Sequence, residues 1–374
     1  MKFIKENRIP MLLCIGLLLF ICHYQNQPFV QYIPLFQIGV LILWFTVGFL
    51  ILNRWKQVKE IGLGPKYIWI PLAVIAGSAT LRLFVQHDSS TIAGALFMAS
   101  MFGLYVISRR YGEKALKLFT PVVIAGAVSI IVQAVIFHNA KNPGLFNNYA
   151  TAAQFLVFGW LVAPRKWQWW LSGIVLAGLF FSGTEEGIFY VAVIGLVILI
   201  RRDWSRRILL PVGVLAGLLL ICTPLGMTEI LYSRAARMVN EVVVATTDSS
   251  LTPAERDSLL DHASDNRWTV YWRFQRPMQP LGYGVNTTNH YVGLPHNIIL
   301  LVTDQLGPVA ACAWMAAMII GIRKTKWKYG FLALILFGVF QPFVWTEMAP
   351  YMWVMAGTAT ASKVGSSYIF KGAA

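Results

Sequence analysis

Apolar residues arrive in long, nearly uninterrupted runs, over 9–25, 33–53, 67–86, 90–108, 118–138, 148–164, 167–182, 185–200, 208–225, 297–322, 329–347 and 349–362. A run of about 17–25 residues, coiled as a helix, matches the hydrocarbon thickness of a bilayer. The pattern predicts about twelve transmembrane helices, several of them short, in an all-α polytopic membrane fold. One stretch breaks the rhythm. From Gly226 to His296 the chain is polar and charged, and it returns to apolar character after Asn297. Residues 1–374 thus read as one membrane domain, with 226–296 as a large loop between the ninth and tenth spans.

Within that loop the pattern predicts short helices. Thr252-Pro253-Ala254-Glu255 is a capping box with proline at the first helical position, starting a helix over 253–263. Met227–Val244 reads as an amphipathic helix. Asp265 or Asn266 caps another, running through Trp268, Tyr271, Trp272 and Phe274, whose aromatic and arginine content suits a membrane interface. Leu281-Gly282-Tyr283-Gly284 reads as a turn.

Composition supports the membrane reading. Hydrophobic residues make up 57% of the chain and charged ones 13%, with a mean hydropathy of +0.61. A soluble chain of 374 residues cannot bury that much apolar surface. The net charge of +15 would point to nucleic acid in a soluble protein, but its placement argues otherwise. Arg54, Lys56 and Lys59 follow the second span, and Arg109, Arg110, Lys114 and Lys117 the fourth. Arg165 and Lys166 follow the sixth, Arg201, Arg202, Arg206 and Arg207 the eighth, and Arg323, Lys324, Lys326 and Lys328 the tenth. Lys2, Lys5 and Arg8 precede the first span, and Lys363 and Lys371 follow the last. Every even-numbered exit is basic, which puts both termini in the cytoplasm and the large loop outside. The basic excess is then a topology signal and a contact with anionic lipid heads, with no nucleic-acid partner implied. The first span reads as a retained helix, since no small-residue cleavage site follows it. Cys14, Cys22, Cys222 and Cys312 lie in or near apolar spans and read as small buried hydrophobes. Their spacing suggests no metal site.

Candidate chemistry gathers at the outer side. Arg267, Arg273 and Arg276 cluster late in the loop, after Arg234 and Arg237. A guanidinium fork matches two phosphate oxygens at once, and beside a membrane a diphosphate arrives on a lipid; ordinary phospholipid heads would meet the same arginines. His296 stands before the tenth span, where a neutral imidazole can take a proton from an attacking hydroxyl or simply cap the helix. His290 is a weaker candidate for that role. Arg82 and Asp304 lie inside predicted spans, and intramembrane charges are functional candidates by default. Arg82 can bind phosphate or snorkel outward; Asp304 can pair with an arginine or orient His296. Asn147 and Asn148 open the sixth span, as caps or as donors to sugar hydroxyls and phosphate, and Asn297 opens the tenth. Glu185-Glu186 reads either as an acid pair or, more simply, as a solvated turn.

Three stretches resemble the O-antigen ligase and polymerase family of bacterial envelope glycosyltransferases. They are Gly144-Leu145-Phe146-Asn147-Asn148-Tyr149-Ala150, Asn266-Arg267-Trp268 … Trp272 … Pro280-Leu281-Gly282-Tyr283-Gly284, and His296-Asn297 … Leu300 … Asp304-Gln305-Leu306-Gly307. The layout is closest to the ligase. The resemblance implies a C-type glycosyltransferase-like membrane fold in the bacterial inner membrane, with a periplasmic active site. It implies transfer of a glycan from an undecaprenyl-diphosphate carrier to an acceptor hydroxyl, with inversion and without metal or other cofactor. The acceptor is lipid A-core by analogy with the ligase, or another glycan or protein hydroxyl. Catalysis would fall to Arg267, holding the diphosphate, and to His296. The substrate-binding set would be Arg82, Arg273, Arg276, Asn147, Asn148, Asn297, Asp304 and His290.

One departure stands out: the family commonly has Ser-Arg-Gly where this chain has Thr184-Glu185-Glu186-Gly187. Arg82, Arg273 and Arg276 are the candidates to replace that arginine. Two alternatives remain in view, a polymerase or protein O-oligosaccharyltransferase of the same family, and a lipid-linked-sugar transporter or flippase. Transporters tend to carry internal repeats and broken helices, and no internal repeat is visible in this chain.

Overall fold

The computed structural model describes residues 2–21, 35–53, 55–87, 89–137, 142–146, 149–163, 165–200, 227–263, 277–284, 297–325, 327–340 and 349–361. Over these residues the protein is all-α, with fourteen helices. They are α1 Lys2–Ile21, α2 Leu35–Asn53, α3 Trp55–Ile61, α4 Lys66–Leu81, α5 Ser89–Phe137, α6 Tyr149–Val162 and α7 Arg165–Ser182. There follow α8 Glu185–Ile200, α9 Met227–Thr247, α10 Pro253–Ala263, α11 Ile298–Leu306, α12 Pro308–Lys324, α13 Lys328–Phe340 and α14 Ala349–Ala359. A 3-10 turn, Arg82–Phe84, extends α4.

Each described apolar run is helical, as uniform apolar sequence without turn residues dictates. Among the described residues, two stretches, Lys66–Phe84 and Gly94–Phe137, are long and apolar enough to cross a membrane; Asn7–Leu19, Leu41–Leu50, Tyr149–Val162, Trp170–Ser182 and Lys328–Val339 are apolar but shorter. The expected span at 208–225 lies outside the described residues. α6 is apolar all round and is buried along almost its whole length, which makes it an interior helix. Around it the rings of Phe119, Phe155 and Phe158 converge on Tyr351, whose hydroxyl donates to the Leu17 carbonyl at 2.7 Å. Trp160 Nε1 donates to Ser172 Oγ at 2.8 Å and joins α6 to α7.

Two predicted boundaries differ. The fourth and fifth runs, expected as separate spans around a basic loop, form one continuous helix, α5. This helix is not straight. Phe102 packs edge-on against Trp353 at 6.4 Å between ring centroids, and Phe119 packs on Tyr351 at 5.6 Å. A straight helix would hold Phe102 and Phe119 about 25 Å apart along its axis, yet their partners lie two residues apart on α14. Tyr105, Ser108, Arg109 and Gly112 meanwhile approach Gly357 and Thr358 at the far end of α14. The helix therefore folds back between Phe102 and Phe119. Gly112 lies in that stretch, and Pro121 withholds the amide that would bond back to Lys117, the usual causes of a sharp bend. Its two ends, Ser89 and Phe137, consequently point to the same end of the bundle.

The second difference is the tenth run, 297–322, which is broken. Gly307 separates α11 from α12, with φ 90° and ψ 165°. Pro308 at the first turn of α12 cannot continue the hydrogen-bond ladder of α11.

At the bend, Arg109 gathers backbone carbonyls. Its Nη1 donates to Ile61 and Gly62, the latter at 2.6 Å, and its Nη2 to Thr360 at 3.2 Å. Tyr105 adds a 2.8 Å bond to the Leu63 carbonyl. α3, α4, α5 and α14 are thereby joined at one point.

Within the polar loop, the expected helices at Met227–Val244 and 253–263 appear as α9 and α10, packed as a hairpin. The capping box forms as read: Glu255 N donates to Thr252 Oγ1 at 3.3 Å, and Thr252 N to Glu255 Oε2 at 2.9 Å. His262 Nδ1 lies 2.6 Å from Glu241 Oε1 and pins α10 to α9. The aromatic helix expected from Asp265 or Asn266 lies outside the described residues. Of the cysteines, Cys14 is buried, but Cys312 is exposed on α12, so the buried reading fails there.

Candidate functional site

Among the described residues at the end opposite Arg109, long-range polar contacts converge on the Pro280–Gly284 turn. Gly282 adopts φ +66° and Gly284 φ +101°, conformations that side-chain-bearing residues rarely hold. The positive φ turns successive amides toward α11. Tyr283 N donates to the Asp304 carbonyl at 2.7 Å, and Gly284 N to the Gln305 carbonyl at 3.1 Å. These are carbonyls in the last turn of α11, which a helix C-terminus leaves without intrahelical partners. The turn therefore caps the broken helix. Contact is close enough that a β-carbon on Gly282 would stand 2.3 Å from the Gln305 carbonyl carbon.

The other side of the turn faces Arg82. Nη1 donates to the Gly282 carbonyl at 2.7 Å and Nη2 to the Tyr283 carbonyl at 3.1 Å. Nη2 also donates to Gln86 Oε1 at 2.8 Å, within the turn that follows α4. Arg82 Nε is buried and has no hydrogen-bond partner among the described residues. Gln86 Oε1, Thr91 Oγ1 and Arg82 Nε all lie within 3.6–3.8 Å of the β-carbon position on Gly284. Arg82 is half-buried, and its fork is engaged by the Gly282 and Tyr283 carbonyls.

Asp304 is buried at 5% exposure near the end of α11. Asn297 is the N-cap of α11, its Oδ1 accepting from Ile299 N at 2.9 Å and Leu300 N at 3.2 Å. The Asn297 Oδ1 is thus engaged in capping the helix.

A second group stands at the same end, because α5 folds back. Gly144 N donates to Gln133 Oε1 at 2.7 Å and Leu145 N to Ser129 Oγ at 3.2 Å, which fastens the Gly144-Leu145-Phe146 turn to the last turns of α5. Phe146 inserts against Phe155, with centroids 5.0 Å apart. Asn142 ties the preceding residues to the end of α7, through Nδ2 to the Phe181 carbonyl at 3.0 Å and its own N–H to Ser182 at 3.1 Å. Ser182 and Thr184 are buried and share a hydroxyl–hydroxyl contact of 2.6 Å. Glu185 and Glu186 form the first turn of α8. They open the helix at the first residue of the apolar run expected over 185–200.

Arg267, Arg273, Arg276, His290, His296, Asn147 and Asn148 lie outside the described residues. The structure thus brings together Arg82, the Pro280–Gly284 turn and the Asp304–Gly307 step, with Asn297 opening the same helix. Gln86, Gln133, Ser129 and Asn142 help build this end and were not singled out from sequence. A lone amide or hydroxyl in an apolar run carries no periodic signal. The chain matches no protein-family model and no curated protein.

Proposed function

We propose that the protein is an O-antigen ligase-like glycosyltransferase of the bacterial inner membrane. It moves a glycan from undecaprenyl diphosphate to an acceptor hydroxyl on the periplasmic side. In this reading the apolar runs form a polytopic bundle of about twelve spans, with both termini cytoplasmic. The observation that carries the reading is the docking of Pro280–Gly284 on Asp304–Gly307. Two stretches that resemble the family, separated in sequence by residues 285–303, interlock at one end of the bundle. The third, Gly144–Phe146, shares that end.

The chemistry follows from the leaving group. The acceptor oxygen attacks the anomeric carbon, the bond from that carbon to the diphosphate breaks, and the hydroxyl proton passes to His296 or to the departing diphosphate. Lipid diphosphate leaves readily, so the protein needs charge stabilisation and positioning more than covalent catalysis. Arg267 holds the diphosphate, with Arg273 and Arg276 as further donors, whereas the Arg82 fork is taken up by the Gly282 and Tyr283 carbonyls. His290, Asn147, Asn148, Asn297 and Asp304 complete the substrate-binding set. The acceptor is lipid A-core, and a polymerase or protein O-oligosaccharyltransferase differs from this reading only in the acceptor.

The break at Gly307 favours a lipid-linked-sugar flippase, since transporters bind at broken helices. Here the break is filled by the Pro280 carbonyl, which supports a structural use. Product chemistry separates the two: transfer puts the glycan on a new carrier, whereas flipping leaves it on the original lipid. The test is transfer in vitro from lipid-linked glycan to purified acceptor. His296→Ala and Arg267→Ala are each expected to abolish transfer in protein that remains folded in detergent. Near-normal turnover in both would sink the assignment.

A further inference from the structure

We infer that Arg82 is a positioning residue, acting on the polar loop through the carbonyls of Gly282 and Tyr283. The loop is held from two directions at this turn. Its amides bind the end of α11, and its carbonyls bind Arg82 at the end of α4. Gly282 and Gly284 are buried, so carbonyls here that lost their donor would not be fully repaid by water. The planar fork of arginine reaches two neighbouring carbonyls at once, which a lysine ammonium cannot reproduce. Gln86 braces the same fork from one turn further along.

The placement gives the contact its consequence. In sequence the turn lies between Arg267 and His296, and Asn297 anchors the chain again at the start of α11. Arg82 therefore fixes the middle of the segment that carries both proposed catalytic residues. This consequence for turnover rests on the proposed function; the clamp itself does not.

The experiment uses the full chain in nanodiscs, comparing wild type with Arg82→Lys and Arg82→Gln. Amide hydrogen exchange at Tyr283 and Gly284 should quicken by about tenfold or more in both variants, because each loses the forked bond to the turn. Affinity for inorganic diphosphate should change less than about twofold, and the loss in transfer should fall on kcat with KM for the lipid-linked donor held. A residue that acts only as an anion ligand would give the reverse. Diphosphate affinity would drop, lysine would partly restore it as a point charge, and exchange at the turn would stay at wild-type rates. That result, or unchanged exchange in Arg82→Lys alone, overturns the inference. If the Arg82 variants do not fold, Gln86→Leu keeps the guanidinium but removes its brace. A several-fold rise in exchange at the same amides is expected there, and wild-type rates would overturn the inference. Should wild type transfer no glycan, the functional reading fails while the exchange result still decides the clamp.

Discussion

The carbonyl oxygen of Pro280 lies 2.0 Å from the position a β-carbon on Gly307 would take. That single relationship explains why the tenth apolar run breaks where it does. Only a residue without a side chain lets the turn seat itself on the end of α11, and Gly307 holds φ +90° there. Gly307→Ala is expected to cost at least the ~1–3 kcal/mol of a strained backbone, with the backbone clash in addition. Gly77→Ala is the control, since nothing lies within 4 Å of its β-carbon position in mid-α4. It should be neutral or stabilise by up to about 1 kcal/mol. Thermal unfolding in detergent reads both, and equal midpoints for the two variants would contradict the interlock.

The fold-back of α5 predicts a distance. Leu96 and Val128 are both exposed, one on each limb. In a straight helix they would stand about 48 Å apart. Spin labels at these two positions, on a background with the four native cysteines replaced, should report a separation less than half of that. A single population near the straight-helix value would remove the common end shared by Arg82 and the Gly144 turn.

Arg109 is expected to matter for stability and not for substrate. Its loss strands the carbonyls of Ile61, Gly62 and Thr360. Hydrogen bonds to a charged donor are worth about 1.5–3 kcal/mol each, so Arg109→Ala should lose about 3 kcal/mol or more. Arg109→Lys should recover only part of it. Because the residue sits at the end opposite Arg82, KM for the proposed lipid-linked donor should not move in either variant; a shifted KM would argue against two separate ends.

The polar loop carries its own acid response. Hydrogen bonds from the Thr252 hydroxyl, then from its backbone N–H, hold the Glu255 carboxyl below the usual range. Ser250 does the same for Asp248, again through the hydroxyl first. A carboxylate with a lowered folded pKa stabilises the fold above its unfolded value and loses that contribution as pH falls through the folded one. The first turn of α10 should therefore stay intact from neutral pH down to about 4.3, the ordinary glutamate value, and fray below it. Amide exchange at Glu255 measures this, and Thr252→Ala should exchange several-fold faster at neutral pH with the acid dependence flattened.

Much of the helical framework was legible because its causes are local. Apolar runs without turn residues gave helices at the expected places, and Thr252 with Glu255 gave the start of α10 where it was read. The misread boundaries share one cause. Arg109, Arg110, Lys114 and Lys117 looked like a loop, yet the carbonyls around Arg109 let part of that charge sit within a bent helix. Gly307 looked like an ordinary glycine inside an apolar run until the Pro280 turn occupied the space beside it.

The sequence by itself determined which of the described segments are helical and where α10 is capped. Those features depend on side chains within a few positions of one another. Only the tertiary structure decided that α5 doubles back, that the Pro280–Gly284 turn plugs the break at Gly307, and that Arg82 reaches that turn and Arg109 reaches Thr360. The partners in these contacts are backbone carbonyls, and every residue carries one. No pattern of side chains can announce which carbonyl a distant arginine will meet until packing has brought the two together.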